Sequence, residues 1–118
     1  MAIFIMNNQK FKVFKTNEFD KQFERLSSEE KIQVNKILLQ LYEKGDLVGK
    51  PLSGLSFFRE KKFGGKRLYY LVYETYFVIL AVALSNKKTQ QATINQIIRD
   101  LSDYQRFVFE TLKNKKLI

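Results

Sequence analysis

The sequence predicts an α+β fold of order β-α-α-β-β-β-α, with a mostly antiparallel sheet and helices packed on one of its faces. Three observations carry that expectation. Apolar residues recur at helical spacing in two adjacent stretches between positions 17 and 45. Three runs of strand character follow between positions 56 and 85. A further helical stripe runs from 90 to 114.

Residues 11–15 alternate as a strand does, with Phe11, Val13 and Lys15 on one side and Lys12 and Phe14 on the other. Asn17 is placed to cap a short helix in which Phe19, Phe23 and Leu26 fall at i, i+4 and i+7. Ser27 and Glu30 match a capping box for a second helix. Val34, Ile37, Leu38, Leu41 and Tyr42 line one face of that helix, and Gly45 is its stop. A break this short makes the two helices an antiparallel hairpin.

Residues 45–54 hold three glycines and the only proline, Pro51, and read as a connection. Strands are expected near 56–63, 66–74 and 76–85. Gly64-Gly65 is a tight hairpin turn and Glu74-Thr75 a second turn. The last segment carries Ile94, Ile97, Ile98, Leu101, Tyr104, Val108 and Leu112 as one stripe. Its basic end, at 113–116, suits a helix C-terminus. The whole reads as a single domain over 1–118, with a loose leader at 1–10 and a helix extension and basic tail at 106–118.

The chain has 118 residues, 45% of them hydrophobic, with eleven Phe and six Tyr, enough for a real core. A net charge of +9 favours a nucleic acid, an acidic protein or an anionic membrane surface as partner. There is no cysteine, which excludes disulfides and thiolate chemistry. There is no histidine, which removes the commonest metal ligand and the commonest general base. The acidic residues form no cluster, so neither a metal nor another cofactor is expected. No apolar run approaches the roughly 20 residues of a membrane span. The opening MAIFIMNNQK lacks the basic start of a signal peptide, so a cytoplasmic protein without a membrane partner is expected.

Between Phe57 and Tyr70 stand five cations, Arg59, Lys61, Lys62, Lys66 and Arg67, against one carboxylate, Glu60. Cations on short strands forgo packing. A positive sheet face toward a polyanion is the return. Lys87-Lys88 adds to it just before the last helix. Each of these residues also has a plainer reading. Arg59, Lys61 and Lys62 could guard a solvated edge strand, and Arg67 could pair with Glu60 or Glu74. Lys87-Lys88 could be a polar turn, and Tyr69, Tyr70, Tyr73 and Tyr76 could be packing rather than platforms for bases.

Four pieces, in this order, resemble the RelE/ParE superfamily of toxins from bacterial and archaeal toxin–antitoxin pairs. Gly49-Lys50-Pro51-Leu52-Ser53-Gly54 is similar to the family's GKPLxG connection, and Phe58-Arg59-Glu60-Lys61 to its basic strand. Arg67-Leu68-Tyr69-Tyr70-Leu71-Val72-Tyr73 is similar to the strand that opens with arginine. Leu84-Ser85-Asn86-Lys87-Lys88-Thr89-Gln90 looks like the KKTQ segment of the HigB-like branch. The likeness covers roughly residues 11–105. It implies a RelE-like fold and a toxin that cleaves mRNA on the ribosome. It also implies a cognate antitoxin as second partner.

Metal-free RNA cleavage is an in-line attack of the ribose 2′-hydroxyl on the adjacent phosphorus. It needs a base, cations for the phosphate oxygens and an acid for the leaving 5′-oxygen. The resemblance implies that Arg67 contacts the scissile phosphate, that Arg59 and Lys61 bind RNA and assist proton transfer, and that Lys88 belongs to the catalytic set. Lys62, Lys66, Lys87, Tyr69 and Tyr73 complete the expected RNA-binding surface. Alternation puts Arg59 and Lys61 on one face of their strand, and Arg67, Tyr69, Leu71 and Tyr73 on one face of the next. Whether these faces coincide depends on the hairpin register.

The chain departs from the family where acid and base are concerned. It has no histidine, and Ile94 stands six residues past Lys88, where the RelE branch carries a tyrosine. Tyr69, Tyr73, Tyr104 and the lysines are the candidates left. Two other functions stay open. One is a ParE-like inhibitor of DNA gyrase on the same fold. The other is a non-catalytic RNA- or ribosome-binding relative, whose affinity would fall steeply with salt.

Overall fold

A computed structural model describes residues 10–118. The expected leader lies, apart from Lys10, outside the described residues. Strand β1 (Lys12–Lys15) runs directly into helix α1 (Asn17–Glu24). The cap of α1 is Thr16 rather than Asn17. Its Oγ1 accepts from Phe19 N at 3.0 Å and donates to Val82 O at 2.9 Å. One hydroxyl thus satisfies an orphan helix N–H and ties the helix to the sheet.

Helix α2 (Ser28–Lys44) opens with the expected capping box. Ser27 Oγ accepts from Glu30 N at 3.2 Å, and Glu30 Oε1 accepts from Ser27 N at 3.0 Å. Ser27→Ala should cost about 1 kcal/mol, read as a lower urea midpoint. The Ser27 backbone N–H, and after it Lys66, hold the Glu30 carboxyl below its ordinary pKa. A lowered carboxyl pKa stabilises above the unfolded value and ceases to do so as pH falls through the folded one. The stability difference between the parent and Glu30→Gln should therefore narrow below about pH 4.

After a 3-10 turn (Gly45–Leu47) come β2 (Lys50–Leu52), β3 (Leu55–Phe63) and β4 (Lys66–Tyr73). A second 3-10 turn (Glu74–Tyr76) leads to β5 (Val78–Asn86). Strand β2 was not expected from the sequence. It is three residues long and contains Pro51, which only an edge position tolerates. The sheet order is β1-β5-β4-β3-β2, with β1 parallel to β5 and every other pairing antiparallel.

The helices flank both faces of this sheet, which corrects the one-face expectation within an otherwise matching α+β fold. Phe19, Val34, Ile37 and Leu41 of α1 and α2 pack on Leu68, Tyr70, Val72, Ile79 and Ala81. Across the sheet, Ile94, Ile97, Val108 and Leu112 pack on Phe58, Tyr69, Leu71, Leu80 and Val82. The physical reason lies in β5, whose residues are buried from Val78 to Ser85. A strand apolar on both sides cannot leave one side to water. Burying each such Leu, Ile or Phe is worth roughly 1.5–3 kcal/mol.

A bulge interrupts β5: Tyr69 pairs with Ala83 and Tyr70 with Ala81. Val82, between them, has no partner on β4, so Val82 and Ala83 both join the second cluster. The expected last helix is two helices, α3 (Gln90–Arg99) and α4 (Leu101–Asn114). They meet at Asp100, whose carboxylate takes Gln96 Nε2 at 2.7 Å and Arg99 Nε at 3.3 Å. The break turns Ile98 out of the stripe to 38% exposure. Among the described residues no helix is long and apolar enough to cross a membrane.

Candidate RNA interface

Gly64 adopts φ 57°, a left-handed backbone that suits glycine. The two-residue turn pairs Phe63 with Lys66, and the pairs Lys62–Arg67, Lys61–Leu68, Glu60–Tyr69 and Arg59–Tyr70 follow. Residues directly opposite share a face. Glu60, Lys62, Arg67 and Tyr69 therefore lie on the α3–α4 face. Arg59 and Lys61 lie on the α1–α2 face with Leu68 and Tyr70. The expectation that Arg59 and Lys61 act beside Arg67 is thus corrected, because the tight turn leaves no other register.

Arg59 is committed to structure. Its Nη2 donates to Gly49 O at 2.9 Å and its Nη1 to Ser56 O at 3.1 Å. Lys66 also turns to the α2 side, where its Nζ lies 3.1 Å from Glu30 Oε2. The loop that Arg59 holds approaches the sheet closely. Gly49 N donates to Tyr70 Oη at 2.7 Å, and a Cβ on Gly49 would collide with the backbone carbonyl oxygen of Glu60.

Arg67 pairs with Ser85 of β5, and exposed Lys87 and Lys88 follow just beyond. Lys50 of β2 pairs with Glu60. The first turn of α3 arrives at the same place, where Gln90 Nε2 donates to Glu60 Oε1 at 3.2 Å. This end of the sheet brings Arg67 and Lys50 to the Glu60 carboxylate, with Lys62 on the same face and Lys87 and Lys88 in the turn just past β5. The Glu60 side chain is 1% exposed, with Oε1 3.4 Å from Arg67 Nε and Oε2 3.9 Å from Lys50 Nζ. The Arg67 contact is an ion pair lacking hydrogen-bond geometry. Glu74 lies past the far end of β4 and is not the partner.

Tyr69 is fully buried, with its hydroxyl 2.8 Å from Ser85 Oγ. Burial pushes its pKa up, while the Ser85 hydrogen bond opposes the shift. It supports the site from beneath and has no free face for a base, contrary to expectation. Tyr73 is six residues along β4 from Arg67, about 20 Å away. Burial, and after it Tyr104, pushes its pKa up to about 12. Tyr104 is also raised, chiefly by burial, and Gln96 Nε2 donates to its hydroxyl at 2.9 Å. Tyr73 and Tyr104 belong to the other end of the sheet and cannot serve a phosphate at Arg67. Ile94 is core.

Among the sequence-derived residues, the structure brings Arg67 and Lys62 together on one face, with Lys87 and Lys88 in the turn at the same end of the sheet. Sequence reasoning missed Lys50, Ser85 and Gln90 at this site and treated Glu60 only as an optional partner. The two-residue turn was the signal that could have placed Glu60, Lys62 and Arg67 together. Among the described residues no group of three or more Asp, Glu, His or Cys is arranged to hold a metal ion.

The sequence matches no family model and no curated protein. The fold does have solved counterparts. A free-state variant of Escherichia coli toxin RelE, with two arginines replaced by alanine, superposes with a TM-score of 0.65 at 18% identity, covering 76% of this chain and 97% of that one. The chain has the RelE fold. A chain of the intact E. coli RelBE toxin–antitoxin complex gives 0.59 at 20% identity, covering 64% of this chain and 95% of that one. A chain of the RelBE2 toxin–antitoxin complex of Mycobacterium tuberculosis gives 0.58 at 18%, covering 66% and 99%. On this RelE fold the cationic end described above is the strongest candidate for function.

Proposed function

We propose that the chain is the toxin of a toxin–antitoxin pair and cleaves mRNA on the ribosome by metal-free attack of a 2′-hydroxyl. One observation supports this reading above the others: Arg67, Lys50 and Lys62 share one sheet face of a RelE fold, and Lys87 and Lys88 follow the strand that ends beside Arg67. The Arg67 fork suits two phosphate oxygens and stays charged. Lys62 and Lys88 are exposed and make no ion pair among the described residues, so they are the side chains free to move protons or hold flanking phosphates. A cognate antitoxin fits a chain of charge +9, which would draw an acidic, amphipathic segment. Ribosomal mRNA as substrate places the work in the cytoplasm.

Primer extension on mRNA in a reconstituted translation system tests the activity. Cuts within codons that need ribosomes support the reading, and a folded protein that makes none refutes it. Lys62→Ala should weaken binding to a short single-stranded RNA and reduce the salt slope by roughly one unit. Lys61→Ala, on the other face, should change neither. Fluorescence anisotropy across a salt series measures both. A second reading, an RNA or ribosome binder without cleavage, is favoured by one observation: Tyr69 is buried and Ile94 is core, so beside the buried, ion-paired Glu60 the cluster has only lysines for acid and base. Salt-dependent ribosome binding with no cuts would select it.

A further inference from the structure

We infer that Glu60 is a positioning residue for Arg67, holding the guanidinium by its Nε edge so that the two terminal nitrogens are left for phosphate. This rests on the phosphate-binding role proposed for Arg67. Glu60 is the one buried carboxylate among the described residues. It stands on the third strand of a cationic sheet end and is reached from three other elements: Arg67 of β4 at 3.4 Å, Lys50 of β2 at 3.9 Å and Gln90 of α3 at 3.2 Å. A carboxylate in a site for an anion opposes binding by charge alone. Its presence there is accounted for by orientation.

The geometry supports that role. Contact runs from Oε1 to Nε, the inner nitrogen of the fork, and the Arg67 side chain is 11% exposed. The contact that Glu60 makes is at Nε and leaves the two terminal nitrogens of Arg67 outside the pair. A guanidinium ion-paired on its Nε side still presents its outer pair of N–H donors, the edge that meets two oxygens of one phosphate. Gln90 donates to the same Oε1, so the first turn of α3 helps to fix the carboxylate that meets Arg67. Lys50, on a half-open edge strand, offsets the remaining charge on Oε2 without holding Arg67.

Glu60→Gln keeps the shape and removes the charge. Two readouts decide the matter, both on the full chain. The first is the Nε–H signal of Arg67 in a 15N-labelled protein, which needs no enzymatic activity. In the parent it should be resolved and slow to exchange with water. In Glu60→Gln it should exchange at least tenfold faster. The second is cleavage: kcat should fall tenfold or more while KM, or affinity for a short RNA, is unchanged or improved. A structural role alone would lower the melting point and leave both readouts where they were. Gln90→Ala serves as the milder variant should Glu60→Gln not fold, with a smaller change in the same direction.

An Arg67 signal identical in the parent and in whichever of these variants folds overturns the inference. So does a kcat within twofold of the parent's. If the parent itself neither cuts nor binds RNA, the function proposed above fails, and the Arg67 signal still decides whether Glu60 holds it.

Discussion

Arg67→Ala should abolish cleavage and also cost roughly 3 kcal/mol of folding stability, because it leaves the buried Glu60 carboxylate without its main partner. Lys50 is a weak substitute. It lies at 3.9 Å and its side chain is 64% exposed, so solvent screens it. Loss of activity in this single variant is therefore ambiguous. The double variant Arg67→Ala/Glu60→Gln resolves it, since it removes the stranded charge together with the arginine. Most of the stability should return and the cleavage should not. Urea denaturation reads the first quantity and primer extension on ribosomal mRNA the second. If single and double variants are equally stable, Glu60 and Arg67 do not stabilise each other. If cleavage returns in the double variant, Arg67 does not hold the phosphate.

Gly49→Ala should have an effect of similar size, about 3 kcal/mol, the upper end for inserting a methyl group into a filled site. The atom it meets is the backbone carbonyl oxygen of Glu60, and a backbone cannot move aside by changing rotamer. Relief requires the β2 connection to lift from β3. That would break the 2.7 Å hydrogen bond from Gly49 N to Tyr70 Oη and the 2.9 Å hydrogen bond from Arg59 to Gly49 O. Lys50 would move with it. The expected result is a lower urea midpoint together with weaker RNA binding. An unfolding free energy within about 1 kcal/mol of the parent's would show that the connection yields freely. The glycine of the Gly49-Lys50-Pro51-Leu52 run is thus explained by close approach, and Arg59 acts as the clamp that keeps it there.

Much of the fold was legible because period and punctuation agreed. The Ser27–Glu30 box, the stop at Gly45 and the Gly64-Gly65 turn all stand where the sequence puts them. What was missed has particular causes. Asn17 and Thr16 are both good caps, and only the carbonyl of Val82, 66 residues away in sequence, favours Thr16. The break at Asp100 involves neither glycine nor proline, so no local signal marks it. Two further points could have been read. The unbroken apolar run of β5 already demands cover on both faces. A two-residue turn after Phe63 already pairs Lys62 with Arg67, which separates Arg59 and Lys61 from the site. The location of Lys50 and Gln90 beside Glu60 could not be read, since it depends on how β2 and α3 arrive.

The parallel pairing of β1 with β5 has a consequence for how the chain is made. Lys12 pairs with Val78 and Lys15 with Ala81, so the first strand of the sheet in chain order docks on the last. Both helical layers rest on strand β5, as they do on β4. A ribosome that has not yet released residue 81 holds a chain whose first strand has no neighbour, because the strand that separates β1 from β4 is incomplete. Hairpins and the α1–α2 pair can form earlier, from local contacts. Closing the sheet must wait, and the entropy of that long loop is met in a single late step. Until that step a RelE-fold chain of this topology is an assembly of parts, and the face that carries Arg67 does not exist.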